Sequence, residues 1–148
     1  MKRTFIANVW VYALLLMGCG AVQSQSAPPA IEQMTLAQPS AKASVPVDVR
    51  YQLRAAPTRD QPVGLELAFV ARIPGRNLKV QFPRAESVTI DSGGVSFAQQ
   101  KAEADGVVRR SLIVTPRAER GTVRVLVSMD IEGTRSFGIF SIPIHLER

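Results

Sequence analysis

One cysteine, one histidine and one tryptophan are all that 148 residues contain of these types: Cys19, His145 and Trp10. A lone thiol leaves no intramolecular disulfide to staple the fold. A lone imidazole with no further thiol is not a zinc ligand set. Acids at the spacing of a calcium loop are lacking as well, so neither a metal nor a cofactor is expected. Aromatic residues make up 6%, and both Trp10 and Tyr12 fall near the N-terminus. Little remains to stack on bases or sugars. The formal net charge is +6, and 14 of the 18 basic residues are Arg. They alternate with acids and never form a long run, so the concentrated footprint of a nucleic-acid binder is missing. With 46% hydrophobic and 20% charged residues, the chain is an ordinary globular mixture, long enough for one domain.

The first eighteen residues, MKRTFIANVWVYALLLMG, place two positive charges ahead of a mostly apolar stretch over residues 5–18. This is the layout of a secretory signal. It is short for a membrane-spanning helix, which needs about 20 apolar residues; an uncleaved N-terminal helix is the alternative. Leu16-Met17-Gly18-Cys19 resembles the lipobox of bacterial lipoproteins, with Met17 where a small or β-branched residue is usual. The resemblance implies that Cys19 becomes the lipidated first residue of the mature chain. It also implies, through Gly20 in place of the retention residue Asp, an outer-membrane destination facing the periplasm. Residues 1–18 are therefore expected to be a signal peptide. Residues 19–47, rich in Ala, Ser, Gln and Pro, are expected to be a flexible lipid-anchored linker, since such composition buries little apolar surface. Docking of residues 31–37 on the domain is the alternative.

From residue 48 onward the period is two. Val49, Tyr51 and Leu53 alternate with Arg50, Gln52 and Arg54; Val123, Val125, Val127 and Met129 alternate with Thr122, Arg124 and Ser128. Similar runs surround Leu65–Phe69, Leu78–Phe82 and Phe140–Leu146, with Gly-, Pro- and Asp-rich punctuation between them. Alternation over short runs with turns at this spacing predicts an all-β, antiparallel sandwich of seven or eight strands over residues 48–148. In layout it resembles fibronectin-type and immunoglobulin-like bacterial modules, without the paired cysteines and core tryptophan of antibody domains. Pro143 removes a backbone donor, which predicts that the last strand lies at an edge or leaves the ladder there.

The stretch VTIDSGGVSF, residues 88–97, has two catalytic readings and a simpler one. Asp-Ser-Gly-Gly also surrounds the nucleophile of trypsin-like proteases, but the only His lies downstream, in the wrong order for that family. Val88-Thr89-Ile90-Asp91-Ser92-Gly93 resembles the motif of retropepsin-like aspartic hydrolases, which implies a dimer sharing a proton between two copies of Asp91. Against that, Gly94 stands where Ala or Ser is expected. The simpler reading is a turn: Asp and Ser bond their own backbone, and Gly accepts positive φ. Arg109, Arg110, Arg117, Arg120, Arg124 and Arg135 are the other candidates, as a patch on the last three strands for an acidic partner or lipid phosphates; the simpler reading is a solvated strand face with Glu119, Asp130 and Glu132 nearby.

These features lead to one expectation: a non-catalytic binding or assembly module in the cell envelope, tethered through Cys19 to the membrane and meeting an envelope protein by its loops and edge strands. No nucleic-acid or metal partner is expected. A retropepsin-like hydrolase, and a soluble periplasmic sandwich without lipid, are the alternatives.

Overall fold

The computed structural model describes residues 27–40 and 43–146. Its strands follow the alternating runs. Val and Ile are stiff at χ1 and fit a pleated surface, and each run presents one apolar face. The strands are β1 (Thr35–Leu36), β2 (Gln38–Pro39), β3 (Val47–Leu53), β4 (Val63–Ala71) and β5 (Gly75–Gln81), then β6 (Val88–Ser92), β7 (Ser96–Ala102), β8 (Val107–Pro116), β9 (Arg120–Ile131) and β10 (Thr134–His145). A single 3-10 turn, Ile31–Gln33, precedes them. All pairings are antiparallel, in two five-stranded sheets ordered β1-β3-β4-β8-β6 and β2-β10-β9-β5-β7.

The order β3-β4-β8-β6 facing β10-β9-β5 reproduces the A-B-E-D and G-F-C arrangement of an immunoglobulin-like sandwich, with β7 added to the second sheet. Eight strands have five residues or more, and two have only two. Those short ones lie in the segment expected to be a linker.

The core fills the space between the sheets. Phe69, Leu65, Leu67, Leu78, Leu112, Met129, Ile142 and Ile144 are the largest wholly buried side chains. Truncating a buried Phe or Leu costs about 2–5 kcal/mol, so a handful of such positions carries stability comparable to that of a whole domain. The β9–β10 hairpin is the longest pairing, running from Thr134↔Ile131 to His145↔Arg120 without a register shift. Its turn residues, Glu132 and Gly133, both have positive φ (49° and 81°). That is the type I′ geometry whose twist matches the flanking strands.

Pro143 sits as its chemistry requires. Ser40 donates to the carbonyl of Ile139, and Ser44 and Val45 donate to that of Phe137. Odd-numbered residues of β10 therefore turn their backbone groups away from β9. Pro143 shares that parity, so its missing donor falls on the outer side, past the two residues that β2 pairs (Phe140 and Ser141). The ladder to β9 loses nothing.

The domain boundary expected at residue 48 lies earlier. β1 pairs with β3 through Thr35↔Tyr51 and Leu36↔Arg50, and β2 pairs with β10 through Phe140↔Pro39 and Ser141↔Gln38. Between the two, the Ala37 N–H donates 2.8 Å to the Val49 carbonyl, and its methyl is buried in the core. This strap crosses from one sheet to the other and closes one side of the sandwich. The opposite side is closed where β6 hands over to β7.

Candidate functional site

The strap continues onto the outer face of the first sheet, where sheet geometry sets the contacts. Arg50, Ala68 and Arg109 stand side by side across β3, β4 and β8. The Arg109 Nη1 donates 2.8 Å to the Pro29 carbonyl. The Arg50 Nη1 reaches the carbonyls of Ile31 and Met34 at 3.4 and 3.5 Å. Ala68 and Met34 are buried, yet both lie outside the core between the sheets. Two guanidinium groups thus fasten the segment around a small residue. Next to them Glu66, also buried, accepts 2.7 Å bonds from Arg54 Nε and Ser111 Oγ. This gives the β4 carboxylate the charged and neutral partners that a buried acid requires.

Asp91, the residue of the hydrolase reading, is exposed on an edge strand. The β6–β8 register shifts between Ile90 and Ser92, so Asp91 occupies a bulge. Its Oδ2 accepts a hydrogen bond from the Thr115 hydroxyl. The following Gly93 and Gly94 have φ of 101° and 83°. They do not close a hairpin: β6 and β7 belong to different sheets, and these glycines carry the chain across. Gly93 is pressed so close to β8 that a Cβ there would lie 2.5 Å from both the Ser111 carbonyl oxygen and Leu112 Cδ2.

The six arginines expected to form one patch are distributed over the molecule. Arg109 belongs to the strap clamp. Arg110, its neighbour on the strand, turns to the other face, where its guanidinium lies 4.4 Å over the Phe97 ring; Phe97 in turn meets Phe69 edge-on at 5.3 Å. Arg117 joins Asp60 (3.0 Å) and Thr89 (3.2 Å) near the β8–β9 corner. Arg135 pairs with Asp130 at 2.9 Å by the β9–β10 hairpin, where Asn77 donates to the same carboxylate at 2.7 Å. Those bonds, Asn77 first and Arg135 second, hold the Asp130 carboxyl below its usual range.

Arg120 and Arg124 do share a surface, the outer face of the second sheet. Residues that the sequence did not single out join them there. Lys79 pairs with Ser128 of β9, and Arg76 pairs with Asp130 and with Lys101. Among the described residues, no carboxylate lies within salt-bridge distance of Arg76, Lys79, Arg120 or Arg124. Between these cations Leu126, Phe137 and Ile139 border a groove of about 230 Å³, and Phe137 is 65% exposed. A second depression of about 520 Å³, with Arg76, Asn77, Lys101, Asp130 and Glu132 in its wall, lies at the hairpin end.

Among the described residues, no three of His, Cys, Asp and Glu come together as a metal site, and no helix is long and apolar enough to cross a membrane. Cys19 and the apolar stretch before it lie outside the described residues.

No known family model matches the chain, and no curated protein matches it in sequence. Solved structures that are similar include the GAE domain of GGA2p from Saccharomyces cerevisiae. It has a TM-score of 0.45 and 12% identity, over 75% of this chain and 98% of that one. Neither value speaks to function.

Proposed function

We propose that this chain is a cell-envelope lipoprotein whose sandwich is a non-catalytic binding or assembly module, held at the outer membrane through lipidated Cys19. The observation that carries the reading is the position of the only cysteine. It ends the apolar N-terminal stretch and stands ten residues before Pro29, whose carbonyl Arg109 already holds. A thioether-linked lipid at that thiol would anchor a folded body almost directly. Several acyl chains anchor stably where one binds only marginally. Anchoring raises the effective concentration of the domain for its membrane neighbours. The outer edges of β6 and β7 pair with no strand among the described residues, and such edges suit strand addition by an envelope protein.

Cys19→Ser tests the anchor. The wild-type chain should incorporate labelled palmitate and sediment with outer membranes; the variant should do neither. Equal labelling and fractionation of the two chains would refute the lipoprotein reading.

A further inference from the structure

We propose that the outer face of the second sheet is a docking surface for anionic lipid headgroups, so that the domain lies against the membrane that anchors it. The anchor itself rests on the lipoprotein reading above; the surface is argued from the sandwich.

Three observations converge. The first is charge. Arg76, Lys79, Arg120 and Arg124 share this face and have no carboxylate partner among the described residues. The carboxylate near the end of β9 on this face, Asp130, is engaged by Asn77 and Arg135. The second is spread. Arg76 lies opposite Asp130 on β9, and Arg120 begins β9 ten residues away. At about 3.3 Å per residue the cations extend over roughly 30 Å. A strip of that length matches an extended anionic plane better than a compact acidic site. Phe137, 65% exposed among them, supplies an apolar side chain of the kind that buries at the headgroup–acyl boundary beside basic residues.

The third observation is the length of chain ahead of the domain. Composition alone places the linker at residues 19–47, but docking on the sandwich begins at Pro29 and continues through β1 and β2. Nine residues, 20–28, remain between Cys19 and Pro29. Whatever path they follow, they span at most about 35 Å. Strands of 12 residues are themselves about 40 Å long. The leash leaves from the outer face of the first sheet, but sheets packed about 10 Å apart leave a body thin enough for a leash of that reach to pass round its edge, so the basic face of the second sheet can lie on the bilayer that holds the anchor. Each Lys or Arg near such a surface contributes about 1 kcal/mol, a factor of roughly five.

The test uses residues 27–148 without leader or lipid, a fragment that retains all ten strands and the whole core. It is mixed with vesicles of phosphatidylcholine alone or with phosphatidylglycerol added. Sedimentation with the anionic vesicles only, lost at high salt, is expected. Lys79→Ala and Arg124→Ala should each weaken it about fivefold. Arg72→Ala, which touches Asp48 on the first sheet, should leave it unchanged. Phe137→Trp adds a reporter, because the fragment has no tryptophan of its own; its emission should move to the blue on anionic vesicles.

Equal binding to neutral vesicles, no binding, or equal losses in all three alanine variants would overturn the proposal. So would binding of an acidic polypeptide such as polyglutamate through Lys79 and Arg124 without vesicle binding, which would assign the face to a protein partner. Unfolding midpoints of the variants show whether a loss comes from the surface or from the fold. Because the fragment lacks Cys19, failure of the anchor and failure of the surface are read separately.

Discussion

Gly93→Ala and Gly94→Ala, one residue apart, should differ severalfold in cost. At Gly93, φ is 101°, a backbone region that costs a non-glycine residue about 1–3 kcal/mol. The added Cβ also meets the Ser111 carbonyl oxygen and Leu112 Cδ2, both at 2.5 Å. Neither neighbour can yield. The oxygen belongs to the β8 backbone, and Leu112 is 1% exposed in the core. Overpacking of that kind adds about 1–3 kcal/mol. Lower entropy of the unfolded chain returns about 0.4–1 kcal/mol. The net loss is about 3 kcal/mol for Gly93→Ala. At Gly94 the φ of 83° is also positive, but the nearest atom to an added Cβ is 3.8 Å away. Only the backbone term remains, about 1 kcal/mol after the same entropy correction. Urea unfolding of residues 27–148 resolves the two. With a slope of about 1.5 kcal/mol/M, Gly93→Ala should lower the midpoint by about 2 M and Gly94→Ala by well under 1 M. Equal midpoints would mean that the glycine pair is an ordinary surface turn and that the close approach of β6 to β8 is not a feature of the native state.

Met34→Ala should destabilise the domain by about 2 kcal/mol, the low end for a buried methionine, and should open residues 27–45 to limited proteolysis ahead of the rest; an unchanged midpoint would refute the docked strap. Asp130→Asn tests the hairpin network through pH. Hydrogen bonds hold the folded Asp130 carboxyl below its usual 3.8, so its contribution is present above that value and disappears as pH falls through the lower folded one. The wild type should therefore exceed the variant in thermal midpoint at neutral pH, and the two should converge in acid; a gap that persists in acid would refute the assignment.

Strand positions were legible because alternation leaves a side-chain signature: Val123, Val125, Val127 and Met129 read as one buried face and form one. The strap was legible only as the docking alternative for residues 31–37, and its contacts were not. Its contacts are made by main-chain carbonyls of Pro29, Ile31 and Met34, and by Met34 and Ala37, three residues apart with no period around them. A carbonyl that binds Arg109 looks like any other in the sequence. Ala68 held a faint signal, a small apolar residue on the polar side of β4, where water would ordinarily be met. Asp-Ser-Gly-Gly was legible as a bend but not as a crossing between sheets, since glycines of positive φ serve both. The six arginines were misleading for a geometric reason. Adjacent residues on a strand point to opposite faces, so Arg109 and Arg110 separate, one to the strap and one to Phe97. Residues on one face come instead from different strands: Arg76, Lys79 and Arg124 are neighbours only after β5 and β9 pair. Cys19, the residue on which the functional reading depends, lies outside the described residues, and its chemistry is argued from the sequence.

The strap changes what an anchor at Cys19 would do. A flexible linker over residues 20–47, 28 residues long, would let the sandwich roam, with its faces equivalent toward the bilayer. With Pro29 fixed by Arg109, the leash is about a third as long and leaves the body at a defined place, the outer face of the first sheet. That face is already occupied, by the strap itself and by the Arg54–Glu66–Ser111 bonds. On the second sheet Arg76, Lys79, Arg120 and Arg124 have no acidic partner among the described residues, and Leu126, Phe137 and Ile139 border an apolar groove. The asymmetry follows from one event, the insertion of Ala37 between β3 and β10, which uses one sheet's surface to hold the chain and leaves the other's uncovered by it.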